Sequence, residues 1–424
     1  MNEPTTRDLK PNHAPGGFPI VGIIGGGQLA RMCQPPAINL GITLSDLAEN
    51  TTSAAAQVIP SAPVGSADDL DTVLEFARHC DVITFDHEHI PPHVLHALEN
   101  ENIPLHPRPT ALRYAQDKLA MRELMTHLNI PSPQWAQVRT PDELAHFADR
   151  VGWPIILKTP RGGYDGKGVL LVNEGEHTTG EAATWFNAVT DTTPTSDPTN
   201  ELARATTFPD GLLAEQAITF TRELAIMVAR SPTGQASTWQ VVETVQTDGI
   251  CTEVIAPAPD LPPAAATHIT AAALRIAEAI DLTGVMAVEL FETTDEDSNP
   301  QFLVNELALR PHNSGHWTID GSTTSQFEQH LRAILDLPLG DTSPRNTWTV
   351  MGNVLGGQIP EFENLYSTYK HLMAHDPALK IHLYNKAVKP GRKIGHVNVC
   401  GDNLPNLRER ANHATGYLRG TIRQ

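Results

Sequence analysis

Positive charge is in short supply along this chain of 424 residues: 30 Lys and Arg stand against 49 Asp and Glu, a formal net charge of −19. That surplus of acid repels phosphate backbones and anionic membrane surfaces, which excludes nonspecific nucleic-acid or lipid binding. An anionic substrate has to be met by local lysines, arginines and glycine-rich amides. Cysteine is scarce too. Cys33, Cys80, Cys251 and Cys400 lie far apart and form no Cys-x-x-Cys pair, which argues against a disulfide framework or a structural zinc and favours a reducing, cytoplasmic compartment. No apolar run approaches the roughly twenty residues of a membrane span, and residues 1–18 are polar and proline-rich, so neither a span nor a signal peptide is expected. What remains is ordinary: 40% apolar and 19% charged residues, a soluble globular composition with length for two or three domains.

The chemistry is concentrated in one stretch. Gln301–Trp317 (QFLVNELALRPHNSGHW) runs an apolar strand into Arg310, His312, Asn313, Ser314 and His316. Upstream, Gly284–Phe291 (GVMAVELF) is a second apolar run, and the polar, proline-bearing residues 293–300 between them predict a hairpin turn. With that turn centred near Asp297 and Ser298, Glu289 and Glu306 fall directly opposite on one face. Like charges so placed repel. Hard carboxylate oxygens with Asn305 alongside suit a Mg²⁺ that keeps its waters and shares phosphate oxygens, Mn²⁺ being an acceptable substitute. Two solvated carboxylates on an open sheet face are the plain alternative; the polar cluster just downstream favours a site.

Taken in order, Pro19–Ile24 is an apolar strand that enters Gly25-Gly26-Gly27-Gln28 and then a helix, the opening of a doubly wound unit. Gly25, Gly27 and Ala30 fit G-x-G-x-x-G/A with Asp46 about twenty residues on, which leaves a dinucleotide reading open, although close helix packing explains such glycines equally well. A helix over 68–79, a buried strand Asp81–Phe85 ending in Asp86-His87-Glu88-His89, a short strand Ile103–His106 and a helix Ala111–Leu128 carrying Lys118 follow. Glu88 would share the carboxyl-end rim with Gln28, where ligands of open α/β sheets bind; a solvated loop residue is its alternative. His87, His89 and His93 match no metal spacing and read as surface histidines.

A new unit starts near Pro131. Strand Pro154–Lys158 delivers a lysine into Thr159–Gly168 (TPRGGYDGKG) and Val169–Val172 resumes strand character, predicting a hairpin that folds amides over phosphates beside Lys158 and Lys167. It is not a Walker A loop, having no Ser or Thr after the lysine and no following helix. Residues 173–210 read as an insertion with one helix near 181–189. Strands Leu212–Ala217, Glu223–Val228 and Thr238–Val245, a helix Ala264–Ile280 and, past the carboxylate hairpin, a helix Ser325–Leu335 follow. A basic segment, Lys386, Lys389, Arg392 and Lys393, interrupts the acidic chain and is either a phosphate site or a solvated turn.

Four segments in this order, GGGQLARM (Gly25–Met32), GGYDGKG (Gly162–Gly168), NELALRPHNSGHWT (Asn305–Thr318) and PGRKIGH (Pro390–His396), make nearly the whole chain resemble the ATP-grasp ligases, and among them the 5-(carboxyamino)imidazole ribonucleotide synthase family. The resemblance implies an α/β (α+β multidomain) fold: a tail over 1–18, a Rossmann-like pre-ATP-grasp domain over 19–118, an ATP-grasp domain over 119–338 with a lid at about 131–213, and a small C-terminal β-rich domain over 339–424. It implies that ATP, bicarbonate and 5-aminoimidazole ribonucleotide give the carbamate, ADP and phosphate in a Mg²⁺-dependent homodimer. It also accounts for the glycine turn without a dinucleotide.

Carried over by motif, the resemblance puts Lys118, Lys158 and the loop Gly163, Tyr164, Asp165, Gly166, Lys167 and Gly168 at the ATP phosphates. Glu215, Gln216, Ala217 and Ile218 fall at adenine, with Glu223 near the ribose. Glu289, Asn305 and Glu306 fall at Mg²⁺. Gly27, Gln28, Glu88, Tyr164, Lys386 and Arg392 surround the aminoimidazole ribonucleotide, and Asp165, Arg310, His312 and Asn313 serve bicarbonate and carboxyl transfer. Asp165 and His312 both stay open as proton acceptor. The chain departs from the family where Asp86 replaces a frequent Glu, Lys167 a common Arg and Gln246 a frequent His. RPHNSGHWT and the Gly-Gly-Tyr-Asp loop favour this family over formate-dependent glycinamide ribonucleotide transformylase and biotin carboxylase. An NAD-dependent dehydrogenase would leave the carboxylate hairpin unexplained, and a noncatalytic nucleotide-binding regulator would have no use for the full set of carboxylates and lysines.

Overall fold

The computed structural model describes residues 14–162, 168–190, 208–295, 299–357 and 365–422. Strand Ile20–Ile24 lies between Thr43–Leu47 and Val82–Phe85, all parallel, with Ile23 level with Asp46 on one side and Thr84 on the other. Parallel strands covered on both faces read as unbroken apolar runs, which is why the first and third were legible; Thr43–Leu47 (TLSDL), with Ser45 and Asp46 inside it, was not. Helices Gln28–Leu40 and Leu70–Ala77 complete the Rossmann-like unit; the second is capped by Asp69, whose carboxylate accepts from the Thr72 N–H.

Two expectations here are corrected. Ile103–His106 is not a strand: Leu105 makes a single bridge to Ile83, because Pro104 and Pro107 remove the ladder donors around it. The helix expected over 111–128 is two helices, Pro109–Gln116 and Lys118–His127. Asp117 between them is extended and its carboxylate accepts from the N–H groups of Leu119 and Ala120, so a cap interrupts what periodicity reads as one helix. Lys118 thereby opens the second helix.

A four-stranded antiparallel sheet follows in the order Trp135–Val138, Leu212–Gln216, Ile155–Lys158, Val169–Val172. Lys158 pairs with Val169, as expected for the two arms of the glycine-rich hairpin. Helices Pro141–Val151 and Gly180–Thr190 cover this sheet around a core of its own that includes Phe147, Leu157, Trp185, Phe186 and Leu212. The second is the helix expected inside the 173–210 insertion; residues 191–207 of that insertion lie outside the described residues.

Among the described residues the largest sheet has nine strands. It runs Pro300–Ala308, Gly284–Thr294, Arg222–Arg230, Val242–Thr247, Ile250–Ala256, Trp348–Leu355, Lys393–Gly401 and Lys380–Leu383, with Ala236–Thr238 added beside Arg222–Arg230. The carboxylate hairpin and the C-terminal strands therefore belong to one continuous sheet, joined where Val254 stands opposite Met351. Helix Leu404–Arg419 packs Leu407, Ala411 and Leu418 on Val350, Val354, Val397 and Val399. The strand expected over 238–245 is broken, because Trp239 turns into the core and its indole N–H donates to the Thr324 carbonyl at 3.1 Å. Among the described residues no helix is long and apolar enough to cross a membrane.

Candidate active site

Glu289 stands directly across from Glu306, as the hairpin argument required. Nearer the tip the pairs are Leu290 with Val304 and Phe291 with Leu303, one residue off the symmetric reading, so Asn305 is the extra residue of a β-bulge. Turn residues 296–298 lie outside the described residues. A regular strand would send Asn305 and Glu306 to opposite faces. With the bulge both reach one cleft: Lys158 Nζ is 3.4 Å from Asn305 Oδ1 and Lys118 Nζ is 3.9 Å from Glu306 Oε1. Burial, then the charges of Glu306 and Glu223, push the Glu289 carboxyl up to about 8. An acid raised by the carboxylate facing it calls for a cation. Among the described residues no three His, Cys, Asp or Glu side chains converge on one point. Two carboxylates and an amide are oxygen donors that suit a hard divalent ion taking its other ligands from water and phosphate.

The cations facing this pair are fixed in turn. Lys158 Nζ lies 2.8 Å from Glu215 Oε2, and Glu215 Oε1 accepts from Arg122 Nε at 2.5 Å. Burial alone would raise the Glu215 carboxyl, but Arg122 and then Lys158 bring it down to about 2. Lys118 Nζ donates to the Gly162 carbonyl at 3.0 Å; burial lowers its ammonium, with Glu306 acting the other way. Gly163, Tyr164, Asp165, Gly166 and Lys167 lie outside the described residues, while Gly168 closes the base of the loop by accepting from the Thr159 N–H. Gln216, Ala217, Ile218 and Glu223 line the same cleft of about 1730 Å³, and stacked Phe220 and Phe291 rings, 4.7 Å apart, form an apolar wall. Gln246 hydrogen-bonds Glu223, whose carboxyl is raised by burial and partly offset by that bond.

Beyond Glu306 the strand delivers Arg310, His312 and Asn313 to the other end of the cleft. Buried Gln326 fixes that turn through two backbone bonds of 2.8 Å, its Oε1 accepting from the His312 N–H and its Nε2 donating to the His312 carbonyl. His312 Nδ1 accepts from the Ser314 N–H at 3.4 Å and lies 3.0 Å from Ser314 Oγ, which leaves the ring proton on Nε2, 3.2 Å from Glu289 Oε1. Burial, reinforced by Arg310, holds the His312 imidazole well below its usual range, so the ring is neutral. Asn313 Oδ1 accepts from Asn353 Nδ2 at 3.3 Å.

The first domain closes this end. Arg310 Nε donates to Glu88 Oε2 at 2.6 Å, and Lys386 Nζ donates to Gln28 Oε1, tying the C-terminal basic segment to the glycine turn. His87 and His89 stack at 5.9 Å and line the cleft, and His93 is exposed. Arg392 is exposed and outside the cleft lining; its neighbour Lys393 lines it. The dinucleotide reading is closed by two observations. Asp46 is fully buried with neither carboxylate oxygen hydrogen-bonded, so no ribose reaches it. Asp86 Oδ1 accepts from the Ala30 N–H at 2.7 Å, and any Cβ at Gly27 would collide with Asp86 Oδ2, so the turn embraces a carboxylate of its own chain. Arg122, Gln326 and Asp117 were missed by sequence reasoning, and Lys393 entered it only as one cation of the basic segment; Arg122 carried a signal, a charge inside the apolar face of its helix, and Asp117 another, an N-cap residue before Lys118.

A carboxylate pair on a bulged hairpin, two lysines delivered from separate elements and paired strands, Ile155–Lys158 and Val169–Val172, joined through a glycine-rich sequence define an ATP-grasp ligase. Family models agree: a ribonucleotide synthetase preATP-grasp domain matches residues 19–116, an ATP-grasp domain 123–327, and a phosphoribosylaminoimidazole carboxylase C-terminal domain 349–410. The chain is 46% identical over 402 residues to an N5-carboxyaminoimidazole ribonucleotide synthase of Mycobacterium bovis, covering 94% of this chain and 88% of the relative. The crystal structure of a carboxyaminoimidazole ribonucleotide synthase from Aspergillus clavatus complexed with ATP superimposes with a TM-score of 0.78 at 32% identity, covering 96% and 99% of the two chains. A second structure from that organism, in complex with ADP and 5-aminoimidazole ribonucleotide, gives 0.76 at 31% identity over the same shares of 96% and 99%. The chain belongs to the N5-carboxyaminoimidazole ribonucleotide synthase family.

Proposed function

We propose that this cleft carboxylates 5-aminoimidazole ribonucleotide on its exocyclic amine, consuming ATP and bicarbonate and releasing ADP and phosphate. The observation that supports this reading most is the convergence of two halves on one cleft. The lysine and carboxylate set (Lys118, Lys158, Glu289, Asn305, Glu306) meets the Arg310, His312 and Asn313 cluster that Glu88 closes from the first domain.

Bicarbonate is a poor electrophile. Transfer of the γ-phosphoryl group to it gives carboxyphosphate and ADP, and collapse of carboxyphosphate gives phosphate and CO₂ beside the amine. Nitrogen then attacks CO₂ and loses a proton, giving the carbamate. Glu289, Asn305 and Glu306 would hold Mg²⁺ or Mn²⁺, which when bound neutralises charge on the transferring phosphoryl group. Lys118 and Lys158 supply fixed positive charge on the same side, and Arg310, its Nε held by Glu88 and its Nη1 by the Pro311 carbonyl, grips bicarbonate through Nη2. With Nδ1 engaged by Ser314 and the Nε2 proton facing Glu289, His312 orients that carboxylate beside the bicarbonate, which leaves Asp165 as acceptor of the amine proton. Gln28, Glu88, Lys386 and Arg392, with Gly27 and Tyr164, bind the ribonucleotide. The family likeness supports a cytoplasmic homodimer and a division of the chain at about 118 and 338.

The test is ADP release with and without 5-aminoimidazole ribonucleotide at fixed Mg²⁺, ATP and bicarbonate. Release that requires the ribonucleotide is expected; release indifferent to it would overturn the substrate assignment.

A further inference from the structure

Arg122 lies in the middle of helix Lys118–His127 among the buried side chains Leu119, Ala120, Met121, Leu124 and Met125, and is itself 0% exposed. A guanidinium so placed costs a great deal of hydration unless its donors are used. They are. Nε donates to Glu215 Oε1 at 2.5 Å, Nη1 to the Val304 carbonyl at 2.8 Å and Nη2 to the Asn305 carbonyl at 2.8 Å. The two carbonyls belong to the bulge, Val304 being the last residue paired in the tip register and Asn305 the inserted one. A bulge leaves its extra residue out of the ladder. The rigid fork of the guanidinium supplies the missing donors, while its third arm holds the carboxylate that fixes Lys158.

We propose that Arg122 is a positioning residue for the phosphate and metal side of the reaction. By clamping the bulge it keeps Asn305 and Glu306 turned into one cleft, and through Glu215 it sets Lys158 against them. Arg122 touches neither substrate nor cation; it acts through the residues that do. The inference rests on the reading that these side chains hold a divalent cation with ATP.

The test uses the full chain and Mn²⁺ as the probe, its binding in the presence of ADP being followed by the electron paramagnetic resonance of the free ion. Arg122→Lys keeps the charge but cannot reach two carbonyls and a carboxylate at once, so Mn²⁺ affinity is expected to fall at least about tenfold, with KM for 5-aminoimidazole ribonucleotide within about twofold of wild type. Should this variant fail to fold, Arg122→Met with Glu215→Gln removes both buried charges together, keeps the core apolar and carries the same expectation. Mn²⁺ affinity within about twofold of wild type in a folded variant overturns the clamp. Glu306→Gln in the same assay separates the two layers. If it too leaves Mn²⁺ affinity intact, the metal assignment fails and the proposal falls with it; if it abolishes binding while Arg122→Lys does not, only the clamp is wrong.

Discussion

Arg310 Nε lies 2.6 Å from Glu88 Oε2 across 222 positions of sequence, and this bond joins the end of the carboxylate hairpin to the rim of the first domain. Burial alone would lower the Arg310 guanidinium, and Glu88 holds it up. The pair orients the arginine proposed to grip bicarbonate, at the point where the ribonucleotide amine has to arrive. Glu88→Gln keeps the shape and removes the charge. Because a hydrogen bond between charged groups is worth roughly 1.5–3 kcal/mol, kcat/KM for the ribonucleotide is expected to fall about 10- to 100-fold, with metal-dependent ADP binding unchanged. Steady-state kinetics with calorimetric ADP titration checks both.

Glu306→Gln separates function from stability. ADP release is expected to fall at least about a hundredfold, roughly 2.7 kcal/mol of transition-state stabilisation. Metal-free stability should stay level or rise by up to about 1 kcal/mol, since a like charge facing Glu289 is removed. Denaturant melts in a chelator set beside single-turnover assays distinguish the two effects.

Asp46 predicts an unusual pH dependence. Burial first, then the charges of Asp86 and Glu49, push its carboxyl up to about 8, against about 3.9 in the unfolded chain. Between those values the folded state holds a proton that the unfolded state has lost. The stability this acid allows is therefore complete below about pH 4 and falls as pH rises toward 8. Asp46→Asn removes that dependence. Its advantage over wild type should grow by about 3–4 kcal/mol between pH 5 and pH 8, read from urea midpoints at the two pH values.

Asp117 caps the helix that Lys118 opens and also binds Arg161 at 3.0 Å. Asp117→Ala is expected to cost about 1 kcal/mol of stability and, by loosening Lys118, to raise KM for ATP several-fold while KM for the ribonucleotide stays put. Thermal melts and initial rates at varied ATP test this.

The facing of Glu289 and Glu306 was legible because strand pairing has a period of two and the turn between the runs is marked by polar residues and proline. The bulge was not. No residue type announces Asn305 as inserted, and the symmetric hairpin reached the right acidic pair while misplacing the pairs nearer the tip. Lys393 was named only as one cation of the basic segment for a related reason: neighbours at the start of a strand face opposite sides, so an uncertainty of one residue hides which side chain lines the cleft. Arg122 was hidden because one arginine in an amphipathic helix ordinarily extends its head to water, and only tertiary packing shows that this one does not. The break at Asp117 was readable in hindsight as an N-cap, but helical periodicity on both sides of it masked the cue.

The continuity of the nine-stranded sheet bears on how the chain can be cut. The seam between Ile250–Ala256 and Trp348–Leu355 is a continuous antiparallel ladder over Glu253, Val254, Ile255 and Ala256. A protein truncated after Leu339 would leave that inner strand as a raw edge, its unpaired N–H and C=O groups aligned to recruit any other extended chain. The last fifth of the sequence is therefore better described as the closing hem of the catalytic sheet than as an appendage. Removing it should yield a self-associating product recovered from the insoluble fraction, not a smaller enzyme of reduced activity.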